Sequence, residues 1–298
     1  MALAASALLA DFSYQQKATV TGGVLASAMK VAGVFSKQAR EPIRTTVSLK
    51  GGRMAHRTAF HASIIDLEAQ TITSIDLQKK TYSVMTFDQM KQMMDQLSQR
   101  MPQQSNPNNI TFKVSAKATG NAKQIAGLDA KELLVKMEMD ATDQQSGQSG
   151  AMVIDMDVWM APSVPGYDEV RDFYRRMAAK LDWSPGSQMA MGRPDVAKGM
   201  AEAYKEVGKM EGVPVYQTMT MNGAGGPQGQ AMPRPSLAGA LGLPRTQHDN
   251  GDPQAPQSLM EMTTELSDFS AGPVDDAQFA IPAGFKKVNP EMTKRGAR

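Results

Sequence analysis

A chain of 298 residues with net charge +2 (32 basic and 30 acidic side chains) can bury one large core or two ordinary ones. Its charge balance excludes a strong field aimed at nucleic acid or an anionic membrane surface. It has no cysteine, which excludes disulfides, thiolate metal sites and a cysteine nucleophile. Methionine is over-used, with 24 against 9 Phe and 2 Trp. Two readings stand: a pliable apolar wall for variable partners, or an ordinary core filler.

Along the chain, Ala2 to Ala10 is an apolar, alanine-rich run ending at Asp11. It is far shorter than the ~20 residues of a membrane-spanning helix. It lacks the charged leading region of a secretory signal, and two readings stand: the remnant of such a signal over residues 1–10, with the protein periplasmic or otherwise exported, or a frayed or docked N-terminal segment. Phe12, Tyr14, Gln16, Ala18 and Val20 alternate as one face of a first strand. Ser27 and Lys30 form an S-x-x-K pattern, but the companion S-D-N and K-T-G motifs are missing. His56 and His61, five apart in a strand-rich stretch, are expected on opposite sides of a strand, where they could not share a metal. His248 falls in a segment with little to bury.

Between Ile64 and Met85 one phrase occurs twice: Ile65-Asp66-Leu67 followed by Thr71, then Ile75-Asp76-Leu77 followed by Thr81. β-Branched runs separated by short polar clusters at this interval predict a meander of strands Ser63–Leu67, Thr71–Leu77 and Thr81–Met85. Connections so short join only antiparallel neighbours. Thr86 and Gln89 then form a capping box that opens a helix over Asp88–Met101. Met90, Met93, Met94, Leu97 and Met101 fall on one face of it. Met101–Asn109 reads as a loop.

Further strands are expected where Phe112, Val114, Ala116 and Ala118 alternate, and where Leu133, Val135, Met137 and Met139 do. In "VIDMDVWM", Ile154, Met156, Val158 and Met160 line one side, with Asp155, Asp157 and Trp159 on the other, wetter one. Asp155 and Asp157 are therefore read as a solvated pair rather than as paired catalytic carboxylates. Asp168–Leu181 presents Val170, Phe173, Met177 and Leu181 as a helix face, with Asp172 and Arg176 as an exposed i,i+4 pair. Pro194 opens a third helix bearing Val196, Met200, Ala203, Val207 and Met210. Residues 222–257 are rich in Gly, Pro and Gln and read as a disordered insertion between two strands. Strands over Val213–Met221 and Met260–Leu266 flank it, and residues 289–298 form a basic tail.

Four stretches carry a family resemblance: "GRMAHRTAFHASIIDLEAQTITSIDLQKKTYSVMTFDQM", "QIAGLDAKELLVKMEM", "VWMAPSVPGYDEVRDFYRRM" and "FAIPAGFKKV". Together they resemble an exported bacterial family of unknown function related to the LolA/LolB-like outer-membrane lipoprotein carriers. The resemblance implies a mainly β (α+β) fold, a curved, incompletely closed antiparallel β-barrel whose concave side is covered by helices, here the three predicted above. With no good linker outside the insertion, residues 11–288 are read as a single domain. It also implies a cavity for acyl chains. No residue here matches a functional residue of the carriers, so the expected ligand lining is read from the apolar faces above: Met90, Met93, Met94 and Leu97 facing Ile154, Met156, Val158 and Met160. The expected function is non-enzymatic binding of a lipid or lipoprotein acyl chain, with no cofactor, no metal, no catalytic residue, no nucleic-acid partner and no transmembrane segment. The competing reading is an envelope scaffold with a closed core and no ligand.

Overall fold

The computed structural model describes residues 11–24, 41–100, 108–143, 149–181, 212–225 and 258–290. These form a single mixed sheet of twelve strands, antiparallel at all pairings but one, with two α-helices. In chain order the strands are β1 (Phe12–Gly22), β2 (Ile43–Lys50), β3 (Arg53–Arg57), β4 (His61–Asp66), β5 (Thr71–Asp76) and β6 (Thr81–Thr86). Helix α1 (Phe87–Arg100) follows, then β7 (Asn108–Ile125), β8 (Leu128–Asp143), β9 (Ser149–Ala161) and helix α2 (Tyr167–Leu181). β10 (Val213–Gly225), β11 (Ser258–Ser270), a single 3-10 turn (Asp276–Phe279) and β12 (Lys286–Lys287) complete the fold. The spatial order is β12-β6-β5-β4-β3-β2-β1-β11-β10-β9-β8-β7, so the sheet is not closed and β12 and β7 are its two edges.

The repeated phrase is a turn device. Asp66 Oδ1 accepts hydrogen bonds from the backbone N–H groups of Glu68 and Ala69, at 2.9 and 2.8 Å. Asp76 Oδ1 does the same for Gln78 and Lys79, at 3.1 and 2.8 Å. An aspartate that bonds the backbone two and three residues on folds the chain back without help from tertiary contacts. Each turn ends on a left-handed residue, Gln70 at φ 51° and Lys80 at φ 52°. The two copies nevertheless feed different cores. Ile65 and Leu67 pack with Phe12, Val47, Leu49, Met54 and Phe87, whereas Ile75 and Leu77 pack with Ala55, Ala62, Ile64 and Phe285. The four-residue turn sets Ile65 across from Ile72, so Ile75, three residues further on, points to the opposite face of the sheet.

Both faces of the β2–β6 meander are therefore covered. On the first, Val170, Phe173 and Met177 of α2 pack onto Phe12 and Tyr14 of β1. On the second lies the C-terminal stretch "FAIPAGFKKV", with Phe279 and Phe285 against the smaller core. Arg57 fastens it by donating to the carbonyls of Ala277, Gln278 and Ala280, and Lys50 and Arg53 pair with Asp276. β12 pairs parallel to β6, and Val288 N–H donates to Tyr82 O, so the chain runs on along the β6 edge.

Several expectations need amendment. Two helices are described where three were expected; the third, with Val196 to Met210, lies outside the described residues, as do Ser27, Lys30 and His248. The strands expected around Phe112–Ala118 and Leu133–Met139 are the middles of a much longer hairpin, 18 and 16 residues per arm. Ala126 and Gly127, both at positive φ, make its tight turn. β10 continues through Asn222–Gly225, paired with Val153–Gly150, so the supposed insertion begins later than residue 222. Trp159, expected on a wet face, is 7% exposed, because the Ile125–Leu128 end of the hairpin folds over it. Lys123 Nζ sits 3.7 Å from its ring centroid.

Candidate functional site

Helix α1 grows straight out of β6 without a loop. Thr86 N–H donates to Gln89 Oε1 at 3.0 Å and Gln89 N–H to Thr86 Oγ1 at 3.1 Å, which is the expected capping box. Phe87 N–H donates to Gln70 O, tying the helix start to the preceding turn. Phe87 itself is buried. The helix thus leaves the sheet at a fixed point, and its next turns carry Met90 and Met93 over β4–β6.

The strand registers arrange the facing side chains in three transverse rows. The row nearest the helix start is apolar: Leu49, Met54, Ile65, Ile72 and Met85 lie directly across successive strands. One step along come Val47, His56, Ser63, Ser74 and Ser83. A further step brings His61, Asp76 and Thr81. Cross-strand neighbours of this kind sit about 5 Å apart, and the floor passes from hydrocarbon to hydroxyl to charge from Ile72 through Ser74 to Asp76.

Above this floor is a cleft of about 870 Å³. Ile72, Met85, Met90 and Met93 are among its lining, as are His61, Asp76, Lys79 and Thr81, with Ala62, Ile75 and Tyr82 beside the latter group. Val288, Asn289 and Pro290 line it beside β6. The volume falls within the ~300–1,000 Å³ of small-molecule sites.

The polar groups differ in how far they are already occupied. Asp76 receives backbone and side-chain hydrogen bonds from Lys79, which hold its carboxyl below the usual range, and its Oδ2 lies 2.9 Å from Lys79 Nζ. His56 Nε2 is 3.3 Å from the Tyr174 hydroxyl of α2, and burial lowers its pKa, so the ring is kept neutral. The hydroxyls of Ser63, Ser74 and Ser83 have no side-chain hydrogen bond among the described residues.

Of the expected lining, Met90 and Met93 border this cleft. Met94 and Leu97 belong to α1, but their side chains lie outside the described set. Ile154, Met156, Val158 and Met160 lie on β9, separated from β6 in the sheet by β5, β4, β3, β2, β1, β11 and β10, and none of them lines the cleft. Their strand partners are Val135 and Met137 of β8 and Met219 and Met221 of β10. Asp155 is exposed and accepts from Asn222 Nδ2 at 3.3 Å, whereas Asp157 is half-buried with Oδ1 shielded from solvent. The solvated-pair reading thus fits Asp155 and fails for Asp157, over which the neighbouring strands close.

The histidines correct another expectation. A turn at Thr58–Phe60 separates His56 on β3 from His61 on β4, and both line the cleft. The alternation rule misleads here because the two residues do not share a strand. Among the described residues, no group of three or more His, Asp or Glu side chains is placed to hold a metal ion. The serine row was invisible in the sequence because Ser63, Ser74 and Ser83 acquire meaning only through register. Once the two four-residue turns are placed, the spacing aligns them.

The chain matches no family model and no curated protein. Among the described residues no helix is long and apolar enough to cross a membrane.

Proposed function

We propose that the protein is a non-enzymatic, exported binder of an acyl chain, akin in fold and task to the LolA/LolB-like carriers, and that the cleft beneath α1 is its binding site. The observation that carries this reading is the convergence of Met90 and Met93 from the helix with Ile72 and Met85 from the sheet at one end of an 870 Å³ cleft. Unbranched, polarizable methionines accommodate chains of varied length and unsaturation. Each methylene withdrawn from water contributes about 0.8 kcal/mol, without any directional contact. A ligand of this kind needs few fixed polar groups, which agrees with the lack of a nucleophile–base or metal motif in the sequence.

The test is native mass spectrometry of the purified protein before and after delipidation, with displacement of a fluorescent fatty acid as the binding readout. The reading predicts a one-to-one lipid adduct and saturable displacement, lost in Met93→Glu at an unchanged melting temperature. A lipid-free mass together with no probe binding would favour the closed scaffold instead.

A further inference from the structure

The cleft is graded along its length, and the grade orients what it holds. The apolar row ends in Ile72 and Met85 beneath Met90 and Met93, and the next row offers Ser63, Ser74 and Ser83. These serines lie opposite one another on three adjacent strands, so their hydroxyls form a short line at strand spacing. They have no side-chain hydrogen bond among the described residues, and each can both donate and accept. Asp76, Lys79 and His56, three of the ionisable groups near them, are already engaged. Asp76 is paired with Lys79 and bonded to its own turn, and burial keeps His56 neutral against Tyr174.

Building on the acyl-binding reading, we propose that the cleft selects single-chain amphiphiles with an uncharged, polyhydroxylated head. The hydroxyls of the head bond the Ser63–Ser74–Ser83 line, and the chain runs under α1. A row of donor–acceptor hydroxyls matches vicinal hydroxyls, whether of glycerol or of a sugar. A carboxylate or phosphate head would bring a net charge to a place where the nearby cation, Lys79, already faces Asp76. Removing that head from water without a matching charge is costly.

Four ligands with ten-carbon chains test this on the full protein, each below its micellar concentration, by calorimetry: monodecanoylglycerol, decyl glucoside, decanoate and decyl phosphate. The expected result is that the two neutral hydroxylated ligands bind about tenfold more tightly than the charged pair. In a Ser63→Ala/Ser74→Ala/Ser83→Ala variant, that preference disappears while decanoate affinity is unchanged. Should the triple variant not fold, Ser74→Ala alone, at an exposed position on β5, is expected to reduce the preference by about threefold. Equal affinity for all four ligands, or a preference that survives the serine substitutions, would overturn the head-group assignment and leave acyl binding standing. No binding of any of the four would overturn both. Preference for the glycerol or for the sugar ligand identifies the source of the hydroxyls.

Discussion

Gly166 shows how one residue fixes the seat of α2. Its φ is +87°, and a Cβ there would lie 2.6 Å from Phe12 Cδ2 and 3.0 Å from Cε2, inside the main core. Phe12 is fully buried and its ring meets Tyr167 edge-on at 6.1 Å, so it has nowhere to retreat. Gly166→Ala should therefore lower unfolding free energy by about 2 kcal/mol in a urea titration, from backbone strain and overpacking together. His56 supplies a pH-dependent counterpart. Its folded pKa lies below the ordinary 6.5, so its contribution to stability is complete above about pH 6.5. It is lost as the pH falls through the folded pKa, because the unfolded chain takes up the proton first. Urea midpoints measured at pH 7 and pH 5 should differ less in His56→Gln than in the parent protein. An unchanged difference would mean that other groups set the acid sensitivity. Neither residue's role was legible in the sequence: Gly166 appears there only within the stretch "VWMAPSVPGYDEVRDFYRRM", and His56 only as one of three scattered histidines.

At the level of elements, the sequence is most readable where the cause of structure is local. The capping box at Thr86 and Gln89 sits where it was expected, as does the helix face of α2 with Val170, Phe173 and Met177. The Asp172–Arg176 pair forms too, 3.1 Å apart, but both side chains are half-buried where exposure was expected. The meander was legible too, because each turn carries its own aspartate. Strand lengths were not. The alternating pattern fades at Gly120–Gln124, where charge and small residues take over, yet pairing to β8 continues to Ile125 because backbone hydrogen bonds need no particular side chain. The bulge between Pro214 and Tyr216 likewise breaks alternation in β10 without ending the strand. The cap also bears on function, since Met90 and Met93 ride on the helix it starts. Thr86→Ala is expected to cost about 1 kcal/mol of stability. It should also weaken a fluorescent acyl probe, whereas an equally destabilising change on β8 should leave the probe's affinity alone.

For the molecule as a whole, the sheet has two unlike wings. β2–β6 are short strands, of 5 to 8 residues, covered by helices on one face and by the C-terminal segment on the other. β7–β11 are long, from 13 to 18 residues, and carry the remaining alternation of methionines. The sequence announced the oily residues of both wings but not which would meet, because contact between distant strands follows from their order in the sheet. That order is set by long-range pairings such as β1 with β11, which no local pattern encodes. Hence Met90 and Met93 face the β4–β6 floor and not β9.

The assignment of the cleft is tested most directly by photolabelling with a decanoyl chain that bears a terminal diazirine, followed by peptide mapping. The structure predicts adducts between residues 72 and 93, centred on Met85, Met90 and Met93, and competed away by monodecanoylglycerol. Labelling confined to β8–β10, or no competable labelling at all, would contradict it.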